Sequence, residues 1–315
     1  MKAVVIHAFG KPEVFEINDI RKPQIGENDI LIETIGGSVN PVDWKQRKGN
    51  HRFLFGSPFP IVLGYDVSGI VIETGKKIQH FKPGDRVCGV LDNKYGGGLA
   101  QYAYGSQKCF VHVPSSIDHA TSAVLPLAGL TALQALRNKG KIRKGMNVMI
   151  IGAAGGVGHY AMQIARIFET RIFAVSSSRH KAFIDRLASN TFLDYTQYDV
   201  LRITERFDII FDAVGKYSFP ICMHLLKQGG VYINTLPRPK ILVHKLLTIF
   251  TRGKKVKTLL MHQNQHDLEL LLGWIQKGSL KLCIDKEFTV GQIAQAHKYS
   301  ESGRTEGKIL LRYDW

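Results

Sequence analysis

The stretch that decides the fold is VMIIGAAGGVGHYAMQIA, residues 148–165 of the 315-residue chain. Its first four residues are apolar and predict a buried parallel strand. Glycines at positions 152, 155, 156 and 158 then predict a tight turn. After the turn, apolar residues recur at helical spacing, at positions 160, 164, 167 and 168. The pattern therefore predicts a strand, a glycine turn and a helix in succession.

This succession is typical of a dinucleotide-binding turn. The glycines let the backbone approach a pyrophosphate, and the helix N-terminus offers free N–H groups and the positive end of its dipole. The frame is Ala153-x-Gly155-x-x-Gly158, so alanine replaces the first glycine of the common GxGxxG pattern. An ordinary strand-to-helix turn is the alternative. We predict dinucleotide contacts from Ala154, Gly155, Gly156, Val157 and Gly158.

The segment after this unit indicates which dinucleotide binds. Residues 171–175 are apolar and are followed by Ser176, Ser177, Ser178 and Arg179, with no carboxylate between positions 171 and 181. An NAD site places an acid here for the ribose 2′-hydroxyl, whereas hydroxyls and a guanidinium favour a 2′-phosphate. We therefore predict NADPH rather than NADH, held in part by Ser176, Ser178 and Arg179. The alternative for Arg179 is a solvated cation at a helix start.

Composition and cysteine spacing describe an ordinary globular protein. Hydrophobic residues make up 44% of the chain and charged residues 22%, and 315 residues suffice for two domains. No apolar run reaches the roughly 18 residues needed to span a bilayer, and the N-terminus predicts a strand rather than a signal peptide. The four cysteines show no zinc or disulfide spacing, so we expect a reducing, cytoplasmic location.

The net charge of +16 is compatible with nucleic acid or a membrane surface as a partner, but we favour a generally basic protein. Segment 237–257 concentrates seven lysines and arginines around two apolar runs. It predicts either a basic amphipathic helix that touches lipid or a partner, or a surface helix that packs its apolar side on the protein. We favour the packed helix.

The order of elements predicts two domains. Short alternating segments at 30–35, 67–72 and 86–90 predict strands of an antiparallel, barrel-like unit. A helix over 123–136 precedes strands at 148–151, 171–175, 207–211 and 230–234, which alternate with helices and predict a parallel sheet. A strand at 256–261 and a helix at 266–276 follow, and a final strand at 308–312 is predicted to rejoin the first domain.

Seven motifs follow one another across nearly the whole chain and resemble those of the medium-chain dehydrogenase/reductase superfamily, in its zinc-independent quinone oxidoreductase branch. They are NPVD (40–43), PIVLGYDVSG (60–69), FKPGDRV (81–87), GGLAQY (97–102), LPLAGLTA (125–132), AAGGVG (153–158) and GKIL (307–310).

The resemblance implies an α/β fold in which a GroES-like, β-rich catalytic domain is joined to a Rossmann domain with a doubly wound parallel sheet. We expect the GroES-like domain at 1–122 and 265–315, the Rossmann domain at 123–264 and the active site in the cleft between them. The implied reaction is hydride transfer from NADPH to a quinone or an α,β-unsaturated carbonyl. The alternatives are an enoyl-thioester reductase, or an NADPH-binding protein that binds nucleic acid or a partner. A homodimer through the 256–261 strand is also implied.

Zinc relatives in the superfamily have cysteine where this chain has Asn40, and His-Glu where it has Tyr65 and Asp66. Because neither position offers a thiolate or imidazole, we expect no metal. The nascent oxyanion then needs another donor. The resemblance points to Asn40 and Asp43 at the nicotinamide face, to Lys45 near the place of a family tyrosine, and to Tyr65 facing the substrate. The alternatives are a polar turn residue for Asn40, an exposed lysine and a packing tyrosine.

Further cofactor contacts follow from the resemblance and from the carboxyl edge of the sheet, where ligands bind in such folds. Thr131 is expected near the nicotinamide, and a buried threonine bonded to its own helix is the alternative. Tyr195 is expected at the 2′-phosphate. The remaining candidates, at strand ends and in the last motif, are Val214, Gly215, Leu236, Gly307 and Lys308.

Overall fold

The computed structural model describes residues 1–50, 52–188, 191–235 and 253–315. Contacts divide the chain into unit 1, formed by Met1–Leu127, Gln263–Gly278 and Leu282–Trp315, and unit 2, formed by Ala128–His262 and Ser279–Lys281. The sequence predicts borders at residues 122 and 265, whereas the contacts change unit after Leu127 and at Gln263. Residues 279–281 join unit 2 because Gln163 bonds the backbone of Lys281 on both sides, at 2.7 and 3.1 Å.

The N-terminal part of unit 1 consists mainly of strands. The strands are β1 (Lys2–Ile6), β2 (Phe15–Asp19), β3 (Asp29–Val39), β4 (Ile61–Val62), β5 (Asp66–Thr74), β6 (Arg86–Val90), β7 (Tyr102–Ser106) and β8 (Phe110–His112). The helices are α1 (Pro41–Arg47), α2 (Arg52–Phe55) and α3 (His119–Ser122). Helix α4 (Pro126–Leu133) then leads into unit 2.

Unit 2 alternates strands and helices as the sequence predicts. Its elements are β9 (Asn147–Ile151), α5 (Gly158–Ile167), β10 (Arg171–Ser176), α6 (Lys181–Leu187), β11 (Thr191–Asp194), β12 (Phe207–Asp212), α7 (Phe219–Cys222), β13 (Leu226–Asn234) and β14 (Lys255–Thr258). The chain then returns to unit 1 through α8 (Gln265–Gln276), β15 (Ile284–Thr289), α9 (Ile293–Glu301) and β16 (Lys308–Arg312).

Two of the expected elements differ in extent. The helix expected over 123–136 begins at Pro126, because proline is favoured at the first helical position, and it continues as a π-helix over Gln134–Lys139. The strand expected at 256–261 is observed at Lys255–Thr258. The basic segment 237–257 falls largely on residues outside the described part of the chain.

The sheet of unit 2 is parallel, with the order β11-β10-β9-β12-β13-β14. This order is the doubly wound arrangement, in which the first strand of the unit lies in the middle and the chain turns in both directions from it. The central position of β9 explains why its residues 148–151 are all buried, since helices cover both faces of such a sheet.

In unit 1, a sheet has the order β15-β16-β3-β5-β6-β8, with β7 also paired to β3, and a smaller sheet has the order β2-β1-β4. Strand β16 pairs antiparallel to β3, with Ile309 opposite Val39. The last motif of the sequence therefore rejoins the first domain, as predicted. Among the residues described, no helix is long and apolar enough to span a bilayer.

Two positions of the glycine turn require glycine, one because of its backbone angle and one because of a close backbone approach. Gly152 has a φ of 78°, in the left-handed region that glycine adopts without strain. A Cβ on Gly158 would lie 2.0 Å from the carbonyl oxygen of Gly152, whereas a Cβ on Gly155 would meet that oxygen at 3.5 Å, an ordinary contact. The turn can therefore close onto α5 only with glycine at position 158.

We expect Gly158→Ala to lower the free energy of unfolding by about 2 kcal/mol, because the backbone must shift to accept the new Cβ. Gly155→Ala is the matched control and should change the unfolding free energy by less than about 0.5 kcal/mol. Urea unfolding of the two variants measures both values. Equal losses in the two variants would contradict the role assigned to Gly158.

Candidate active site

A buried polar cluster occupies one corner of unit 1. It is formed by Ser38, Asn40, Asp66 and Lys308, each at most 3% exposed. Strands β3, β5 and β16 are neighbours in the sheet, so the end of β3 and the starts of β5 and β16 bring these side chains together. The cluster unites Asn40 and Lys308, which lie 268 positions apart in the sequence.

The Asp66 carboxylate is the centre of this cluster. One of its oxygens accepts hydrogen bonds from the Ser38 hydroxyl at 2.5 Å, the Asn40 amide at 2.8 Å and the Lys308 ammonium at 3.3 Å. The other accepts one from the backbone N–H of Leu127 at 2.8 Å, in the first turn of α4. A buried carboxylate needs such partners, because an unpaired charge in the interior is costly.

The cluster engages both Asn40 and Lys308. The Lys308 ammonium donates to the Asn40 side-chain oxygen at 2.6 Å, while the Asn40 amide nitrogen donates to Asp66. The sequence had suggested that both residues contact the cofactor or substrate. In the structure they hold each other, and their predicted ligand contacts remain predictions.

These positions do not fit a zinc ion. Asn40 and Tyr65 offer neither thiolate nor imidazole, and the Asp66 carboxylate already binds an ammonium group. Within residues 1–50, 52–188, 191–235 and 253–315, no group of three or more His, Cys, Asp or Glu side chains is arranged to hold a metal.

Asp43 lies beside the cluster as a buried carboxyl group. One of its oxygens accepts a hydrogen bond from the backbone N–H of Asn40 at 2.7 Å, which caps the start of α1. The other is buried without a hydrogen-bond partner. Burial raises the pKa of Asp43 to about 7, and the Asp66 charge adds to the rise, although the Asn40 bond and Lys308 oppose it.

Lys45 and Tyr65 differ in their hydrogen bonds and in the effect of burial on each pKa. The Tyr65 hydroxyl donates to the carbonyl of Lys94 and accepts from the Gln46 amide, both at 2.6 Å. Burial raises the pKa of Tyr65 to about 12, so the hydroxyl stays protonated. Lys45 is half-buried near the ring of Trp44, and burial lowers the pKa of its ammonium group.

In unit 2, the glycine turn lies at the carboxyl end of β9. The N–H groups of Gly152 and Ala153 both donate to the carbonyl of Val175 in β10, at 3.1 and 3.2 Å, and fix the turn to the sheet. Gly155, where a Cβ would meet only the Gly152 carbonyl oxygen at 3.5 Å, lies at the entry to the ten-residue helix α5. A backbone cradle at a helix N-terminus fits a pyrophosphate. Ala154, Gly156 and Val157 belong to the same turn, and their contacts with a dinucleotide remain predictions.

The serine-rich loop after β10 and Tyr195 lie at the same edge of the sheet. Ser176 pairs with Asp194 in the strand register, and the N–H of Tyr195 donates to the Ser176 carbonyl at 3.2 Å. Ser176 is buried, whereas Ser178 and Arg179 are exposed. The structure therefore brings together the four residues that the sequence assigned to a 2′-phosphate: Ser176, Ser178, Arg179 and Tyr195.

Sequence reasoning missed two charged residues at this edge. The Lys216 ammonium lies 3.5 Å from the centre of the Tyr195 ring. The Asp194 carboxylate accepts from the Thr196 backbone and hydroxyl at 2.8 and 2.6 Å. Burial raises the pKa of Asp194, but hydrogen bonds from Thr196 and Ser178 outweigh it and lower the pKa. Although no acid occurs between residues 171 and 181, the Asp194 carboxylate therefore lies at Ser178.

The other predicted cofactor residues are distributed over both units. Thr131 is buried in α4, Val214 is exposed, and the Gly215 N–H donates to Asp212 at 2.7 Å. Gly307 has a φ of 83° and immediately precedes Lys308 in unit 1. Leu236 lies outside the described residues.

Comparisons with known proteins agree with this architecture. The family described as "Alcohol dehydrogenase GroES-like domain" matches residues 26–115, and the one described as "Zinc-binding dehydrogenase" matches residues 187–311. The chain is 31% identical over 299 residues to a chloroplast envelope quinone oxidoreductase homolog of Arabidopsis thaliana, covering 92% of this chain and 91% of the relative.

Two further similarities extend over nearly the whole chain. An NADPH-dependent alkenal/one oxidoreductase of Arabidopsis thaliana is 28% identical, covering 99% of this chain and 79% of the relative. The solved structure of a quinone oxidoreductase from Coxiella burnetii is 29% identical with a TM-score of 0.91, covering 99% of both chains. The predicted fold class, a GroES-like domain with a Rossmann domain, is confirmed.

The unusual pKa of Asp43 predicts a pH dependence of stability. Because the pKa of Asp43 in the folded protein, about 7, exceeds the ordinary aspartate value of 3.8, the native state holds the proton more tightly, and stability decreases as pH rises between these values. Asp43→Asn keeps an acceptor for the Asn40 N–H and removes the charge. From about pH 5 to pH 8, the unfolding free energy of the variant relative to wild type should rise by about 2 kcal/mol.

Urea unfolding at both pH values measures this difference. Taking the difference between variant and wild type cancels groups common to both, such as His297, whose lowered pKa of about 3 acts with the opposite sign. Asp19→Asn, at an exposed aspartate of β2, is the matched control and should show no such change. A pH-independent difference for Asp43→Asn would contradict the raised pKa.

Proposed function

Because the chain belongs to the zinc-independent, quinone oxidoreductase-like branch of the medium-chain dehydrogenase/reductase superfamily, we propose that it reduces quinones or α,β-unsaturated carbonyls with NADPH. The observation that carries this proposal is the edge of the unit 2 sheet, where the glycine turn lies beside a loop of serines and the exposed Arg179. The names of the relatives, quinone oxidoreductase and NADPH-dependent alkenal/one oxidoreductase, support the substrate class.

Different residues at this edge bind different parts of the cofactor. The cradle at residues 154–158 holds the pyrophosphate, and the hydroxyls of Ser176 and Ser178 with the guanidinium of Arg179 bind the 2′-phosphate. Tyr195 and the Lys216 ammonium beside it lie where they add to this phosphate site. NADPH, when bound, supplies the hydride.

Lys45 is the donor we propose for the oxygen that gains negative charge. The Asn40 amide already donates to Asp66, and the Tyr65 hydroxyl already donates to a backbone carbonyl. Lys45 forms no ion pair among the described residues, and partial burial lowers the pKa of its ammonium group, which eases proton release to a substrate oxygen. Asn40, Asp43 and Tyr65 then act by holding α1 and its surroundings in place.

Two expectations complete the proposal. Among the residues that the structure describes, strand β14 is at the edge of the unit 2 sheet, which supports a homodimer by pairing of two sheets. A cytoplasmic location is proposed from the reduced cysteines, although several relatives are named as chloroplastic or mitochondrial.

The first test of the proposal concerns the cofactor. NADPH should bind at least about tenfold more tightly than NADH, or roughly 1.4 kcal/mol, because Arg179 and the serines favour the 2′-phosphate. Arg179→Ala should remove most of this margin. Calorimetric titration with both cofactors measures it. Lys181→Ala, whose ammonium pairs with Asp185 at 2.5 Å, is the control and should keep the preference. Equal affinities in the wild type would reject NADPH selectivity.

The second test concerns the donor. Lys45→Ala should lower turnover about tenfold for quinones and about a hundredfold for enones, because a reduced quinone stabilises its own negative charge better than an enolate does. NADPH affinity should change by no more than a few-fold.

Lys48→Ala is the matched control, since Lys48 is in the adjoining turn and its ammonium pairs with Glu301. All assays are repeated after exhaustive chelation, which should leave wild-type turnover unchanged. Wild-type turnover in Lys45→Ala on both substrate classes would remove Lys45 from the mechanism. Loss of turnover on chelation would overturn the metal-independent chemistry.

A further inference from the structure

The segment between Asp43 and Asp66 is basic and carries no compensating acid. It contains Lys45, Arg47, Lys48 and Arg52 and no acidic residue. Large apolar residues at positions 53, 54, 55 and 59 occur in the same segment. Cations and large apolar side chains without compensating acids are the composition of surfaces that contact anionic lipid.

The structure exposes two of these apolar side chains at the end of α2. Phe53 is 88% exposed and Leu54 is 77% exposed, among the highest values for large apolar residues in the described part of the chain. We call residues 52–59 the α2 tip. Both side chains project from a helix of four residues, so they form a compact apolar point rather than an extended groove.

Aromatic packing and a hydrogen bond fix the α2 tip to the rest of unit 1. Phe55 packs edge-on against Tyr95 with ring centres 5.6 Å apart, and the Tyr95 hydroxyl donates to the carbonyl of Gly56 at 2.6 Å. Phe59 packs against Phe9 at 5.0 Å. The packing of Phe55 and Phe59 fixes the backbone of the α2 tip, and this backbone leaves Phe53 and Leu54 exposed.

One cation lies at the apolar point, and two lysines lie in and just after the preceding helix α1. The Arg52 guanidinium lies 4.8 Å from the centre of the Phe53 ring, and Lys45 and Lys48 lie near the ring of Trp44 in α1. Glu301 pairs with Arg47 and Lys48. In the described residues, Arg52 has no acidic partner, so its charge remains available to an external anion.

We propose that the α2 tip docks this protein on an anionic lipid surface, with Phe53 and Leu54 inserted among the acyl chains and the neighbouring cations against the lipid headgroups. Two side chains offer far less than the roughly 1,000 Å² that a stable protein interface buries, and a second copy would bring like charges together. A lipid surface needs neither a large rigid partner nor acidic side chains. The net charge of +16 adds long-range attraction to the same surface.

Sedimentation with lipid vesicles tests the proposal, and it does not depend on the redox activity. The full chain should sediment with vesicles of phosphatidylcholine containing about 30 mol% phosphatidylglycerol, and much less with phosphatidylcholine alone. Phe53→Ser/Leu54→Ser should lower the partition coefficient on the anionic vesicles by at least about tenfold. Arg52→Gln should lower it roughly fivefold on anionic vesicles and leave the neutral ones unchanged.

Leu260→Ser is the matched control, because Leu260 is 81% exposed in unit 2 and should not affect binding. Thermal unfolding verifies that each variant is folded. An environment-sensitive dye on Leu54→Cys, in a Cys283→Ser background, should shift to the blue with anionic vesicles, whereas the same dye on Leu260→Cys should not.

Three results would overturn the proposal. The first is wild-type protein that stays in the supernatant with anionic vesicles. The second is unchanged sedimentation of Phe53→Ser/Leu54→Ser, which would assign lipid binding to another surface. The third is a wild-type protein that forms a dimer, together with a double variant that is monomeric and still binds lipid. That result would make the α2 tip a contact between copies of the chain.

Discussion

The carboxylate of Asp66 is the point at which four segments of unit 1 meet. Its four hydrogen-bond donors come from the end of β3, the turn before α1, the first turn of α4 and the start of β16. Removing one donor would leave a buried charge with too few partners, and such a charge costs more than the bond itself contributes. The positions of Asn40 and of helix α1, which carries Lys45, therefore depend on this one side chain.

The part of the fold that depends on neighbouring residues was predictable from the sequence. The apolar run of β9, the glycine turn and the helix α5 form one continuous segment, and the observed doubly wound sheet places that segment at its centre. The cluster around Asp66 was not predictable in the same way. Lys308 reaches Asn40 and Asp66 only because β16 pairs with β3, and no local pattern at position 308 specifies that pairing.

The charges at the edge of the unit 2 sheet that carries the serine loop were also only partly predictable from the sequence. A search for acids near the serine loop along the sequence finds none, yet Asp194 arrives at this edge from the neighbouring strand and bonds Ser178 and Thr196. Lys216 comes from the loop after β12 and lies over Tyr195. The charge that a phosphate would meet there is thus set by three separate strand ends, with Arg179 and Lys216 opposing Asp194.

The division of the chain also sets an order in which the two units can be completed during synthesis. Almost all of unit 2 lies in one continuous stretch, Ala128–His262, whereas unit 1 needs Leu282–Trp315 to supply β15 and β16. On the ribosome, the sheet of unit 2 can close while β3 still presents an unpaired edge and Asp66 lacks its lysine. The nascent N-terminal half must therefore stay soluble with an open strand edge and an uncompensated acid until the last residues emerge, which makes this interval the one at which a chaperone has most to protect.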